Sequence, residues 1–296
     1  MVAEVRGMAD VVQLAERMSP RGSVQDLSGP VRELGANRVF RIWTDDGPRV
    51  LKVYGTPARE RRELRALEVL DGIEGLPRIL DRGRDDEFVW AVFADAGRWN
   101  LATLPENTAL TKKAGEILRT VHTATNARIS NLNRGIDQEW VEIDFRSTVR
   151  RLRRYRGKIG ITEQLIEAAE LVARDTTPFA SEPRPAHTDP KPTNFLVDDE
   201  GNVTLVNWEW ATLAPPEWDL SKAVWLVTRS SGPGAAEALQ EGYGRRIDPA
   251  QLDRWVVYHA AMGLVFEAER RVGGRSREPY EQLLAELRRA VAATAT

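Results

Sequence analysis

The chain has no cysteine and only three histidines among its 296 residues. Without a thiol there is no disulfide framework, thiolate nucleophile, cysteine-ligated zinc or iron–sulfur cluster. Catalysis must therefore use carboxylates, amides, hydroxyls, lysine, arginine or one of the three imidazoles. An excess of charge is also missing: 42 basic residues against 44 acidic ones leave a formal charge of −2. General nucleic-acid binding needs surplus lysine and arginine to displace counterions from phosphates, so no nucleic-acid partner is expected. No run approaches the roughly 20 apolar residues of a membrane span, and the opening MVAEVRGMADVVQLAERM carries charges where a signal peptide is apolar. These absences predict a cytoplasmic protein without a membrane partner, monomeric or homodimeric.

Enough remains for a core, since hydrophobic residues make up 42% of the chain. The spacing of Val5, Met8, Val12, Ala15 and Met18 predicts a leading helix ended by Pro20. Segments 31–34, 39–44, 49–54, 78–82 and 88–93 read as strands, with Asp45-Asp46-Gly47-Pro48 as a turn. A helix over 59–70 puts Leu64, Leu67 and Leu70 on one face. Beyond Ala94-Asp95-Ala96-Gly97 the pattern turns helical, over 108–123, 141–156, 162–175, 220–227, 235–243, 249–272 and 279–290. Short strands at 195–197 and 203–208 interrupt it. The expected architecture is α+β in two parts. Residues 1–95 form a small antiparallel-sheet N-lobe with the leading helix and helix 59–70, and residues 96–296 form a mainly helical C-lobe.

The chemistry concentrates in His187-Thr-Asp189-Pro-Lys191-Pro-Thr-Asn194, then Asn207-Trp-Glu209-Trp after a strand, then Pro216-Glu-Trp-Asp219. With this H-x-D-x-x-x-x-N spacing ahead of strand, turn and strand, the sequence resembles the aminoglycoside phosphotransferase and choline-kinase-like branch of the protein-kinase-like superfamily. The resemblance implies the two-lobed kinase-like fold. It also implies transfer of the γ-phosphoryl of ATP, or GTP, to a hydroxyl, with Mg2+ on the nucleotide. Such a reaction needs an acid beside the attacking hydroxyl and oxygen ligands for the metal. By resemblance Asp189 is the catalytic base, in a catalytic loop over 187–194, and Asn194 a magnesium ligand. His187 and Asp219 hold the loop. A capped loop without chemistry is the alternative for Asp189 and Asn194.

Lys52, in Val50-Leu-Lys52-Val-Tyr, sits among apolar residues, where its ammonium needs an anionic partner. The resemblance gives it the nucleotide phosphates and a glutamate of the next helix: Glu63, with Glu60 second. Gly35-Ala-Asn37-Arg takes the place of the phosphate-covering loop, although it is no G-x-G-x-x-G and suits a plain hairpin turn as well. Phe93 to Asp95 takes the place of the hinge whose backbone meets the adenine edge.

Two positions depart from the family. Asn207 stands in the metal segment 203–210 where the family has aspartate, and an amide there lacks the charge that a hard cation wants. The chain is then a disabled variant, a degenerate kinase, or an enzyme in which Glu209 assumes part of the role. Lys191, two residues after the base, can neutralise a transferred phosphoryl group. It resembles protein kinases more than small-molecule ones. The basic stretch from Arg146 to Lys158 can dock an acidic peptide or form a solvated face balanced by acids, while Glu237, Glu241, Glu267 and Glu269 offer an acidic groove. Three functions follow: phosphorylation of a small-molecule hydroxyl, as in an aminoglycoside, another antibiotic or a metabolite; phosphorylation of Ser or Thr in a peptide during natural-product maturation; or a silent pseudokinase acting as a binding partner.

Overall fold

The computed structural model describes residues 2–20, 22–28, 36–84, 88–125, 128–132, 135–175, 179–270 and 278–294. The strand expected at 31–34 lies outside them, as does Gly35.

The N-terminal part is a five-stranded antiparallel sheet in the order β1-β2-β3-β5-β4. Its strands are β1 (Val24–Asp26), β2 (Arg38–Thr44), β3 (Gly47–Val53), β4 (Ile79–Arg84) and β5 (Val89–Ala94). Successive side chains of a strand point to opposite faces, and this alternation sorts the sheet. Phe40, Ile42, Leu51, Val53 and Val92 face one way and pack against Val11, Leu14 and Ala15 of α1 (Val2–Arg17). Lys52 therefore falls on the opposite face, beside Ala91, its register partner in β5. That face is covered by α2 (Pro57–Val69), which starts where Thr56 Oγ1 accepts the N–H of Arg59 and where Pro57 supplies a preset φ. The helix buries Glu63 along with Leu64, Ala66, Leu67 and Val69.

The C-terminal part is mainly helical: α3 (Thr108–Thr123), α4 (Gln138–Arg154), α5 (Arg156–Ile159), α6 (Glu163–Arg174), α7 (Pro216–Ser231), α8 (Pro233–Tyr243), α9 (Pro249–Arg270) and α10 (Glu278–Thr294). Two small sheets form from the chain between α6 and α7, joined by one strand from the segment ahead of α3. One orders β6 (Trp99–Asn100), β8 (Phe195–Val197) and β9 (Val203–Leu205); the other pairs β7 (Arg184–Ala186) with β10 (Thr212–Ala214). One core runs from Leu64 and Leu67 of α2 through α3, α7 and α9 to Leu287 of α10. α3 and α8 approach almost backbone to backbone. A Cβ on Gly115 would lie 2.0 Å from the Leu239 carbonyl oxygen, and only glycine fits there.

The expected strand 203–208 stops at Leu205. Asn207 adopts a left-handed conformation (φ 70°, ψ 57°), which asparagine tolerates better than most residues, and a 3-10 turn over Trp208–Trp210 follows. That reversal turns the residue 207 side chain toward Lys52.

Candidate active site

Lys52 and Glu63 meet in the layer between sheet and helical part. The ammonium lies 3.0 and 2.8 Å from the two Glu63 carboxylate oxygens, and both side chains are at most 5% exposed. Glu63 Oε1 also accepts the backbone N–H of Trp208 at 3.0 Å. Lys52 Nζ further donates to Asn207 Oδ1 at 3.1 Å and stands 3.3 Å from Glu209 Oε2. Glu209 is approached by Arg59 at 3.9 Å and accepts the Asn37 side-chain amide, whose oxygen receives the Gly55 N–H.

The loop 187–194 rests on Asp219, a fully buried carboxylate in the first turn of α7. It accepts the N–H groups of His187 and Thr188 at 2.7 Å each, and His122 Nε2 at 3.2 Å. Burial opposes the ionised carboxylate, but the His122 hydrogen bond, the electrostatic pull of the two imidazoles and the His187 N–H outweigh it, so the pKa falls below the ordinary value. Thr188 has φ +67°, strained for a β-branched residue. It is held there by Asp219, by its hydroxyl on the Trp210 carbonyl at 3.0 Å, and by Trp218 Nε1 and Lys222 Nζ donating to its own carbonyl at 3.1 and 3.2 Å. His187 is buried, which holds its pKa down. Its Nε2–H donates to the Val206 carbonyl at 2.9 Å and its Nδ1 accepts the Asp189 N–H at 3.2 Å.

This support presents Asp189 at the surface of the loop. Its two carboxylate oxygens lie 2.8 Å from Lys222 Nζ and 3.2 Å from Lys191 Nζ. Burial alone would raise its pKa, but Lys222 and then Lys191 overcome that and hold it at about 2. Asn194 Nδ2 donates to the Asp189 carbonyl at 2.8 Å, and Asn194 Oδ1 accepts Asn207 Nδ2 at 3.0 Å. A continuous polar chain thus runs Asp189, Asn194, Asn207, Lys52, Glu63 from the helical part to the sheet.

Of the residues singled out in the sequence, Lys52, Glu63, Asn37, Asp189, Lys191, Asn194, Asn207 and Glu209 come together, with His187 and Asp219 beneath them. Phe93 is buried in the core opposite Val50, and the Ala94 N–H is taken by the Arg78 carbonyl. The Asp95 side chain points elsewhere: Arg41 grips it at 2.7 and 3.1 Å while it accepts the Gly97 N–H, bracing β2 to the passage between the two parts. Lys222 was missed. The available signal was a single lysine in the apolar helix Leu220-Ser-Lys222-Ala-Val-Trp. The basic stretch is balanced by acids: Arg146 pairs with Glu142, Arg151 with Glu269, and Arg153 and Arg156 with Glu163. Glu241 pairs with Lys112.

The residues do not fit the Mg2+ that the resemblance implies. Mg2+ is held through one or two carboxylates plus phosphates. Asn194 and Asn207 are neutral amides whose oxygens already accept from Asn207 and Lys52. The nearby carboxylates of Asp189, Glu63 and Glu209 all face lysine ammonium groups. Among the described residues no group of three His, Asp or Glu side chains is placed to hold a metal ion, and no helix is long and apolar enough to cross a membrane.

The profile of the phosphotransferase enzyme family matches residues 30–255, more than half of the chain. The chain belongs to this family. No match is found among curated proteins. Three solved structures of phosphotransferases and kinases are similar in fold along nearly their whole length. A choline/ethanolamine kinase family protein from Mesorhizobium loti is 18% identical, with 98% of this chain and 95% of that one covered and a TM-score of 0.67. A macrolide 2'-phosphotransferase from Brachybacterium faecium is 19% identical (94% and 97% covered, TM-score 0.66). A spectinomycin phosphotransferase, solved with ADP and spectinomycin, is 14% identical (92% and 92% covered, TM-score 0.63). At these identities the likeness is one of fold, and the α+β, two-lobed phosphotransferase architecture expected from the sequence is the one observed.

Proposed function

We propose that this phosphotransferase moves the terminal phosphoryl group of a nucleoside triphosphate, ATP first among them, to a hydroxyl of a small molecule. The observation that carries the reading is the polar chain from Asp189 to Glu63, which links an ionised carboxylate on the helical part to a buried lysine on the sheet. Lys52, fixed by Glu63, receives the phosphates. Asp189 orients the acceptor hydroxyl and takes its proton as the new O–P bond forms and the bond to the leaving diphosphate breaks. Lys191 and Lys222 stand beside Asp189 and stabilise charge on the phosphoryl group in transit.

The same lysines bear on the acceptor. A polycationic aminoglycoside would bring like charge to Lys191 and Lys222. A neutral or anionic hydroxyl compound with an apolar face suits better, because Trp140 stands half-exposed edge-on to Trp218, whose indole N–H holds the Thr188 carbonyl next to Asp189. The peptide reading has less support, since the basic stretch that would dock an acidic peptide is paired with acids. A silent nucleotide-binding partner is the second reading, favoured by Asn207.

Incubation with ATP and a panel of anionic, neutral and cationic hydroxyl compounds, read by mass spectrometry, tests the assignment. Asp189→Ala is expected to lower turnover by about 10²–10⁴-fold, as for loss of a general base, with nucleotide affinity unchanged. Equal turnover by the variant takes Asp189 out of the reaction; nucleotide binding with no turnover over the whole panel favours the silent reading.

A further inference from the structure

We infer that this chain binds its nucleotide as the metal-free triphosphate, with Asn207 donating to a phosphate oxygen and side-chain cations neutralising the phosphates. The inference rests on the reading that nucleotide phosphates meet Lys52.

A carboxylate at position 207 would repel the polyphosphate, and a divalent cation is what reconciles two such anions. Asparagine removes the repulsion and with it the need for the bridge. Its amide carries two N–H donors. One goes to Asn194 Oδ1, and the inference gives the second to an oxygen of the phosphates that meet Lys52, whose ammonium already holds the Asn207 carbonyl oxygen. A metal entering here would break the Lys52–Asn207 and Asn207–Asn194 bonds and gain only neutral oxygens from these two side chains.

Charge supports the same conclusion. Lys52, Arg59, Lys191 and Lys222 pair with Glu63, Glu209 and Asp189, so these cations outnumber these carboxylates. An aspartate at 207 would cancel the excess. The site is built to attract an anion without help from a metal, and phosphate affinity comes from ammonium, guanidinium and amide donors.

Calorimetric titration of ATP into the full chain and into Asn207→Asp, each in EDTA and in excess MgCl2, tests this. The natural chain is expected to bind ATP in EDTA at least as tightly as in MgCl2. Asn207→Asp is expected to bind at least about tenfold more weakly in EDTA, from like charges brought close, and to recover with MgCl2. ATP binding by the natural chain that is tenfold tighter in MgCl2 overturns the metal-free inference and leaves the phosphotransferase reading standing. A folded natural chain, checked by circular dichroism, that binds ATP in neither condition removes both. Should Asn207→Asp fail to fold, Asn207→Ala serves: it is expected to weaken binding equally in both media, and weakening in MgCl2 alone makes residue 207 a metal ligand and overturns the inference.

Discussion

Asp189 owes its low pKa to a neighbour that no motif announces. Burial pushes the carboxyl up, and the charges of Lys222 and then Lys191 pull it down to about 2. Replacing Lys222 with methionine removes the strongest of the lowering influences and leaves burial in place, so the pKa of Asp189 rises. A base works only when ionised. The acid limb of a kcat/KM–pH profile is therefore expected to move to higher pH in Lys222→Met, while a profile superimposable on that of the natural chain would detach Lys222 from the base. At this scale the sequence was legible where chemistry fixes the spacing. Asp189, Asn194 and Lys191 share one loop, and Lys52, near the end of β3, is joined to Glu63 by a short connection and the first two turns of α2. Lys222 was not legible, because it reaches Asp189 from a separate helix through the burial of Asp219, and neither loop nor helix alone reveals that meeting.

Among elements, the long helices follow their apolar periodicity: α3 runs over the expected 108–123, and α8 starts two residues before the expected 235. Strands of two or three residues, such as β1 and β6, are too short to show a period. The strand expected through residue 208 ends early because Asn207 turns left-handed, a decision made by tertiary contacts with Lys52 and Asn194. Helix packing carries its own demand. Gly115 and Gly242 let α3 and α8 close on each other, with hypothetical Cβ atoms 2.0 and 1.9 Å from carbonyl oxygens of the opposite helix. Gly115→Ala adds about 1 kcal/mol of helix propensity but forces the pair apart at a cost of about 1–3 kcal/mol or more. A lower urea midpoint than that of the natural chain is expected. An unchanged or higher midpoint would mean that the two helices separate freely.

Across the whole molecule, the sheet and the helical part are joined by the residues proposed to bind the nucleotide. Glu63 on α2 takes both the Lys52 ammonium and the Trp208 N–H, and the Gly75 carbonyl accepts the Leu205 N–H of β9. Glu63→Gln leaves Lys52 short of its main counter-charge. Stranding a buried charge costs up to about 3–5 kcal/mol, less here because Glu209 stays 3.3 Å away. The expected result in thermal unfolding is a clear loss of stability in Glu63→Gln, largely recovered in the Lys52→Met, Glu63→Gln double variant, which strands no ammonium and keeps an amide oxygen for the Trp208 N–H. A double variant no more stable than the single would show that the loss does not come from the stranded ammonium.

Glu209 gives this arrangement one more consequence. In the structure it is gathered in by Lys52, Arg59 and Asn37, donors that would also suit a phosphate. A ligand reaching Lys52 must evict a tenant rather than settle on open ground. Measured affinity then reports an exchange between two anions, the protein's own and the visitor's, and the strength of the resident's hold sets how selective the site is for polyphosphates over weaker acids.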